Sequence, residues 1–543
     1  MSQQYLEIDR HSNHIRVSAR IPIIDSDIQY IYGVLGVIPI VSGMALIVIK
    51  KARLVGTFNG HSIWTITETE IIPYKKTTLH LTEKQIWYNR HFTEMLQSVL
   101  ATTGFYFSYS LDLSRSLQWL SENGTPAFKH MSMIDRADDR FVWNGYLLSQ
   151  LRSVQGIDRF ALPVIHGFYG EVHHSVNGHQ FKLSLISRRS KYRAGVRFYK
   201  RGVSLDGHPA NFVETEQIVE TTSAHGRLTA FLQTRGSIPL LWSQRPNLKW
   251  QPMPTMKPSD DQLAAYVKHF ELQRMTYGGK IVIVNLINQS GREKKIGDEL
   301  DRIVQQANLS YVRYNPFDFH KVCQAMQWHR LSMLRDQLRH EITQFGYLAD
   351  TDLTQRSQTG FFRTNCMDCL DRTNVVQAMI ARESLTDQLL YLGILNVGQR
   401  VETCADLETS FKHLWADNGD ECSRQYAGTG ALKVGKRYCI KSAIESERIQ
   451  VQLTTDAMDV FLGNFKIDVH NLPSSLEATL ISLDQNGIAL LAACFAMAMT
   501  ILCVLVAENI SATLFWLAVF LLCMMFIFIN GEEFVNAPKL KND

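Results

Sequence analysis

The chain has 543 residues, 45% hydrophobic and 20% charged, with a formal net charge of +4. That length exceeds one ordinary domain and the composition is globular, so two soluble domains with appendages are expected. The small positive balance gives no electrostatic footprint for nucleic acid. Nine cysteines, odd in number and irregularly spaced, argue for reduced thiols on the cytosolic side rather than a disulfide framework.

The first ten residues carry charges where a signal peptide needs an apolar core. Ile31 to Ile49 is a 19-residue run without a charge, long enough on hydropathy for a membrane span. Gly33, Gly36, Pro39 and Gly43 divide it into short β-branched runs, which predicts two buried strands joined by a turn. Gly60 to Thr67 alternates as a strand, and Leu81 to Thr103 and Asp135 to Arg152 place apolar residues at helical spacing.

A strand-rich block runs from Phe160 to Trp250. Within it, Arg188 to Arg201 carries seven basic residues in fourteen. Alternation at 189, 191 and 193 predicts a charged strand face suited to anionic headgroups, with Arg193 and Arg197 as candidate binding residues; a solvated strand edge is the other reading. Gly279 to Leu286 reads as a buried strand and Asp318 to Phe345 as one long helix. Phe361 to Asn365 is short and extended, and Asn374 to Leu390 is helical.

Between the last two lies the run Arg363-Thr-Asn-Cys-Met-Asp-Cys-Leu-Asp-Arg372-Thr-Asn, with Cys366 and Arg372 separated by five residues. A loop between a strand and a helix N-terminus offers free backbone N–H groups and the positive end of the helix dipole to an anion. Cys366 is the candidate nucleophile, since a helix N-terminus and a guanidinium lower a thiol from its usual value of about 8.5. Arg372 is expected to hold phosphate oxygens bidentately, and Thr373 to hydrogen-bond the sulfur. Asp368 or Asp371 would protonate the leaving oxygen, and Asp371 has the alternative task of orienting Arg372. Asn365, Met367, Cys369 and Leu370 complete the candidate substrate loop. Cys366-Met-Asp-Cys369 is also a Cys-x-x-Cys, but no second such pair or His-x3-His partner exists for zinc. No metal or cofactor is expected.

Ile488 to Ala507 and Ile510 to Ile529 are each 20 residues without a charge, separated by Glu508 and Asn509. Each is long enough to cross a hydrocarbon core of about 30 Å, so they read as a membrane hairpin. Lys539 and Lys541 follow it while the turn has no basic residue, which places the tail and the large N-terminal part in the cytosol. The last five residues, Lys539-Leu-Lys-Asn-Asp543, resemble the Lys-x-Lys-x-x signal that coat machinery reads to return membrane proteins to the endoplasmic reticulum.

The fifteen residues Arg363 to Gln377 resemble the loop of the Sac (suppressor of actin) family of phosphoinositide phosphatases. The resemblance extends to Arg193–Tyr199, Asn211–Gln217, Gly236–Pro246, Phe317–His320, Trp415–Asp420 and Gln425–Lys433. It implies an α/β fold: a mixed α+β Sac N-terminal domain (1–155), then a Cys-based α/β phosphatase domain (156–465). A linker (466–487), spans at 488–507 and 510–529 and a tail (530–543) follow. It implies metal-independent dephosphorylation of inositol lipids through a phosphocysteine. Phosphatidylinositol 4-phosphate is the preferred substrate and 3-phosphate and 3,5-bisphosphate lipids are also accepted. With the hairpin and tail, the chain is most similar to the integral endoplasmic-reticulum member, with exchange to Golgi membranes. In the related myotubularin loop two aspartates occupy the same places as Asp368 and Asp371. One departure stands out: Val434 to Val460 is short and unlike the family before Phe461-Leu-Gly-Asn464 resumes its pattern. A catalytically impaired lipid-binding or tethering protein is therefore the alternative, and a phosphotyrosine phosphatase a third.

Overall fold

The computed structural model describes residues 5–9, 14–18, 29–75, 77–222, 227–245, 252–258, 260–324, 327–351, 354–431, 454–474, 476, 485–506, 510–529 and 539–540. A small ribbon pairs β1 (Tyr5–Asp9) with β2 (His14–Ser18). The main sheet takes in β3 (Gly33–Ile40), β4 (Gly43–Phe58), β5 (His61–Pro73) and β6 (Phe105–Phe107). It continues through β7 (Ile165–Val176), β8 (His179–Arg189), β9 (Val213–Thr221) and β10 (Leu228–Arg235). A second ribbon, β11 (Trp242–Gln244) and β12 (Pro254–Met256), stands apart. Then come β13 (Lys280–Asn285), β14 (Val312–Pro316), β15 (Leu348–Thr351), β16 (Thr354–Arg356) and β17 (Gly360–Asn365).

The spatial order is β14-β13-β17-β10-β9-β8-β7-β6-β5-β4-β3, so one sheet runs through both halves of the chain. Up to β10 the neighbours along this path pair antiparallel, whereas β14, β13, β17 and β10 are mutually parallel. Parallel strands are covered on both faces, and β13 shows how. Ile281 and Ile283 enter a cluster with Tyr266, Phe270 and Leu300 from the helices Asp260–Tyr277 and Lys294–Ala307. Val282 and Val284 point the other way, into a cluster with the helices Leu331–Phe345, Asp371–Tyr391 and Ala405–Ala427. The fold is thus α/β as expected.

The apolar run Ile31–Ile49 is the β3–β4 hairpin and not a membrane span. Gly36 sits at its bulge with φ +140°, where an added Cβ would lie 2.4 Å from the Leu147 backbone. Only glycine lets the chain cross there. The first predicted helix is Glu83–Leu100, started by a Thr82–Gln85 capping box and anchored by Tyr88, Phe92, Leu96 and Val99.

Three expectations fail for local reasons. Asp135 to Arg152 is not one helix but two short pieces, Met133–Arg136 and Gly145–Ser149. Between them the buried Asp138 carboxylate accepts from the Arg140 backbone N–H (3.0 Å) and pairs with Arg115 and Arg140, which favours a turn over continued helix. Asp318 to Phe345 is likewise broken, because Asp318 caps a single turn, Phe319–Val322, before the helix Leu331–Phe345 begins. The basic stretch leaves the sheet at Arg189, so 191 and 193 do not continue a strand face.

The helix Thr455–Leu462 and the segment after it lie on the N-terminal layer: Phe465 stacks on Phe92 at 6.0 Å, and Tyr88 Oη donates to the Pro473 carbonyl at 2.8 Å. Of the divergent stretch 434–460, residues 434–453 lie outside the described residues. Ile488–Val506 and Ile510–Ile529 form two helices with mean hydropathy 2.7, long and apolar enough to cross a membrane.

Candidate active site

The three parallel strands β10, β17 and β13 end together, and in α/β sheets the crevice beyond the carboxyl ends of strands is where ligands bind. Three of these ends are stitched into one platform. Asn365 at the end of β17 donates its side-chain amide to Asn285 Oδ1 at the end of β13 (2.6 Å), and Leu286 N–H donates to the Asn365 carbonyl (2.9 Å). Gly236, just after β10, gives its carbonyl to Arg363 (2.9 Å) and to the Cys369 thiol (2.5 Å).

On this platform residues 366–370 form the predicted loop, and the helix Asp371–Tyr391 begins directly after it. Among the described residues no side-chain hydrogen bond caps that helix at Leu370, and the helix N-terminus beside the loop favours an anion. Cys369 takes φ +54°, the left-handed region, a strain of the kind that binding loops store. It turns the Cys369 N–H onto Cys366 Sγ at 3.0 Å, while Thr373 Oγ1 donates to the same sulfur at 3.4 Å.

Cys366 is buried, and its thiol is lowered from the ordinary value. The Cys369 side chain does most of this, and Arg372 and Thr373 add to it against the opposing effect of burial. Cys369 is pushed the other way, chiefly by burial. The two thiols are thereby shifted in opposite directions, Cys366 towards the thiolate and Cys369 towards the neutral thiol.

Arg372 is held from behind by a residue the sequence did not flag. Glu293 takes both guanidinium ends, Nη1 at 3.0 Å and Nη2 at 2.9 Å, and the Leu286 carbonyl accepts from Nη1 at 3.0 Å. The Asn288 backbone N–H donates to the same Glu293 carboxylate at 2.6 Å, which fixes it in the turn after β13.

Asp368 is clamped by two arginines, Arg201 Nη1 at 2.5 Å and Arg197 Nη2 at 2.6 Å. Burial alone would raise its carboxyl, but Arg201 and Arg197 outweigh this and hold it below the usual carboxylate range. Backbone contacts position the rest. Arg201 donates to the Met367 carbonyl (3.0 Å), Asn211 to the Asp368 carbonyl (3.1 Å) and Arg235 to the Cys369 carbonyl (2.6 Å).

Of the residues singled out in the sequence, Cys366, Asp368, Arg372 and Thr373 are joined in one network with Arg197. Asp371 opens the helix beside them. Asn365, Met367, Cys369 and Leu370 are buried, the first and third with side chains already bonded to Asn285 and Gly236, so they shape the loop from beneath. Arg193 is turned away, its guanidinium donating to the Arg201 carbonyl at 2.6 Å. The sequence missed Glu293, Arg201, Arg235, Gly236, Asn211 and Asn285. Arg235, Gly236 and Asn285 sit at or just past strand ends, and Arg201, Asn211 and Gly236 fall inside stretches already noted, so strand-end position was a signal for half of them.

Residues 32–324 match the SacI homology domain. The chain is 43% identical to phosphatidylinositol-3-phosphatase SAC1-B of Danio rerio, covering 98% of this chain and 94% of that protein. It is 40% identical to phosphatidylinositol-3-phosphatase SAC1 of Drosophila melanogaster, covering 94% and 88%. It is 34% identical to the Saccharomyces cerevisiae protein of that name, covering 95% and 86%.

Proposed function

The chain belongs to the SacI homology family of phosphoinositide phosphatases, and on that premise we propose that it hydrolyses phosphatidylinositol monophosphates through a phosphocysteine. The observation that carries the reading is the Cys366 sulfur, which accepts from the Cys369 N–H and the Thr373 hydroxyl, its thiol lowered, with Arg372 at the helix N-terminus beside it. The relatives are named for the 3-phosphate; the loop's resemblance adds the 4-phosphate, as the preferred substrate, and the 3,5-bisphosphate.

In the first step Cys366 Sγ attacks phosphorus and the bond to the inositol oxygen breaks. Arg372 and the first-turn N–H groups take up the charge spread over the equatorial oxygens. The leaving oxygen takes a proton from Asp371, because Asp368 enters ionised under Arg197 and Arg201. In the second step a water attacks phosphorus, the P–S bond breaks, and Thr373 stabilises the returning thiolate. Ionised Asp368 would take the proton of that water and pass it to Asp371, which the first step left ionised, so both carboxyls return to their starting states.

The two apolar helices supply the membrane anchor. An endoplasmic-reticulum address with exchange to the Golgi, both termini in the cytosol and coat recognition of the tail are parts of the same proposal. Phosphate release from nanodisc lipids bearing each mono- and bisphosphate isomer, in the presence of a chelator, tests it. Turnover abolished by Cys366→Ser is the expected result. Activity that survives this change, that needs an added metal, or that prefers phosphotyrosine peptides would overturn the mechanism. Lipid binding without turnover would select the tethering alternative.

A further inference from the structure

The end of the chain returns to the first layer of the fold. Leu540 is buried, 2% exposed, within the apolar cluster that includes Phe92, Leu96, Met458 and Phe461. The backbone N–H groups of Lys539 and Leu540 both donate to the Asp456 carboxylate, at 2.8 and 3.1 Å. Asp456 stands in the first turn of the helix Thr455–Leu462, which Thr454 caps through its side chain. The carboxylate therefore grips two consecutive backbone amides while the side chain between two lysines fills an apolar hole.

We propose that the N-terminal layer carries a docking notch for the chain's own C-terminal tail, with Leu540 as the plug and Asp456 as the clasp. This is independent of the catalytic reading and needs only the return of the chain from the second apolar helix. A Lys-Leu-Lys segment suits the notch: its backbone pairs with a carboxylate, its leucine is removed from water, and Lys539 is attracted to the Asp456 charge.

The notch also mounts the domain. The chain leaves the same cluster at Leu476 and enters the first apolar helix at Gln485, a step of nine residues that spans at most ~32 Å. It leaves the second at Ile529 and is caught again at Lys539, ten residues on, at most ~36 Å. Both ends of the hairpin are thus tied to one cluster, and while the tail is docked the N-terminal layer stays within that reach of the helix ends. Docking also holds Lys539 and Leu540 against the protein, which withholds the Lys-x-Lys-x-x pattern from any soluble reader that needs it extended.

The test is amide hydrogen exchange on the full chain in nanodiscs. The tail amides of Lys539 and Leu540 are expected to exchange at least about tenfold slower than an unstructured chain, and Asp456→Ala and Leu540→Asp each to remove that protection. Leu540→Asp leaves the notch itself intact, so it separates release of the tail from loss of the helix Thr455–Leu462, and acylation of Lys539 should speed up in it. Unprotected amides in the unmodified chain, or protection unaltered in Leu540→Asp, would overturn the proposal.

Discussion

Removing Glu293 isolates what holds Arg372 in place. The ion pair is bidentate, at 2.9 and 3.0 Å, and its side chains are only 13% and 17% exposed. Hydrogen bonds to charged groups contribute roughly 1.5–3 kcal/mol each way they are counted. Glu293→Gln keeps the shape of the side chain but leaves one acceptor oxygen and no charge, so about one such interaction is lost. If that loss appears as a guanidinium no longer held for the transition state, each 1.4 kcal/mol is about tenfold in rate. The expected fall in kcat/KM is therefore about 10- to 100-fold on short-chain phosphatidylinositol 4-phosphate. Because other acceptors for the guanidinium remain at Leu286 and Asn288, melting should shift by no more than a few degrees. Glu293→Asp, which restores charge with a shorter arm, should recover part of the rate. A kcat/KM within twofold of the unmodified chain, in a protein with unchanged melting, would refute the orienting role. A faster enzyme would mean that Glu293 draws Arg372 away from phosphate.

Three other outcomes follow from the same geometry. The Cys366 thiol is lowered to about 6, so the thiolate and with it kcat/KM should fall about tenfold per unit on acidification below that point, measured as a pH–rate profile. As the folded value lies below the unfolded one of about 8.5, the accompanying stability is present above the latter and lost as pH falls through the former. Asp371→Asn should slow lipid hydrolysis by about 10²- to 10⁴-fold yet largely spare an aryl phosphate with a good leaving group, whereas Asp368→Asn should slow both; the reverse pattern would exchange the two roles. Gly167→Ala should destabilise the fold without touching the site, because a Cβ there would lie 1.8 Å from the Ser187 carbonyl across β7 and β8. A loss of about 2–3 kcal/mol, read as a melting shift of about 5–10 °C, is expected.

Much of the fold was legible because its signals are local. The β3–β4 hairpin declared itself by glycine and proline interrupting a β-branched run, and the helix Glu83–Leu100 by its apolar spacing. The failures came where a buried charge intervened: Asp138 bends what periodicity alone would continue as a helix, and Asp318 starts a separate single turn ahead of the helix Leu331–Phe345. Neither carboxylate's partners can be read from spacing, since Arg115 and Gln289 come from elsewhere in the chain.

The loop at 366–372 divides in the same way. Its candidate nucleophile, its cation and its place before a helix follow from covalent order, because the five residues between Cys366 and Arg372 are themselves the loop. The groups that surround it are assembled across the sheet. Glu293 lies 79 residues before Arg372, Arg201 lies 166 before Met367, and Gly236 lies 133 before Cys369. Only the pairing of β10, β17 and β13 brings their ends to one crevice, so the groups that aim Arg372, ionise Asp368 and turn Cys369 exist as neighbours only in the folded chain. The tail shows the same contrast: the sequence determined a lysine pattern at the end of the chain, while its leucine found a partner core only through the folding of a helix some eighty residues earlier.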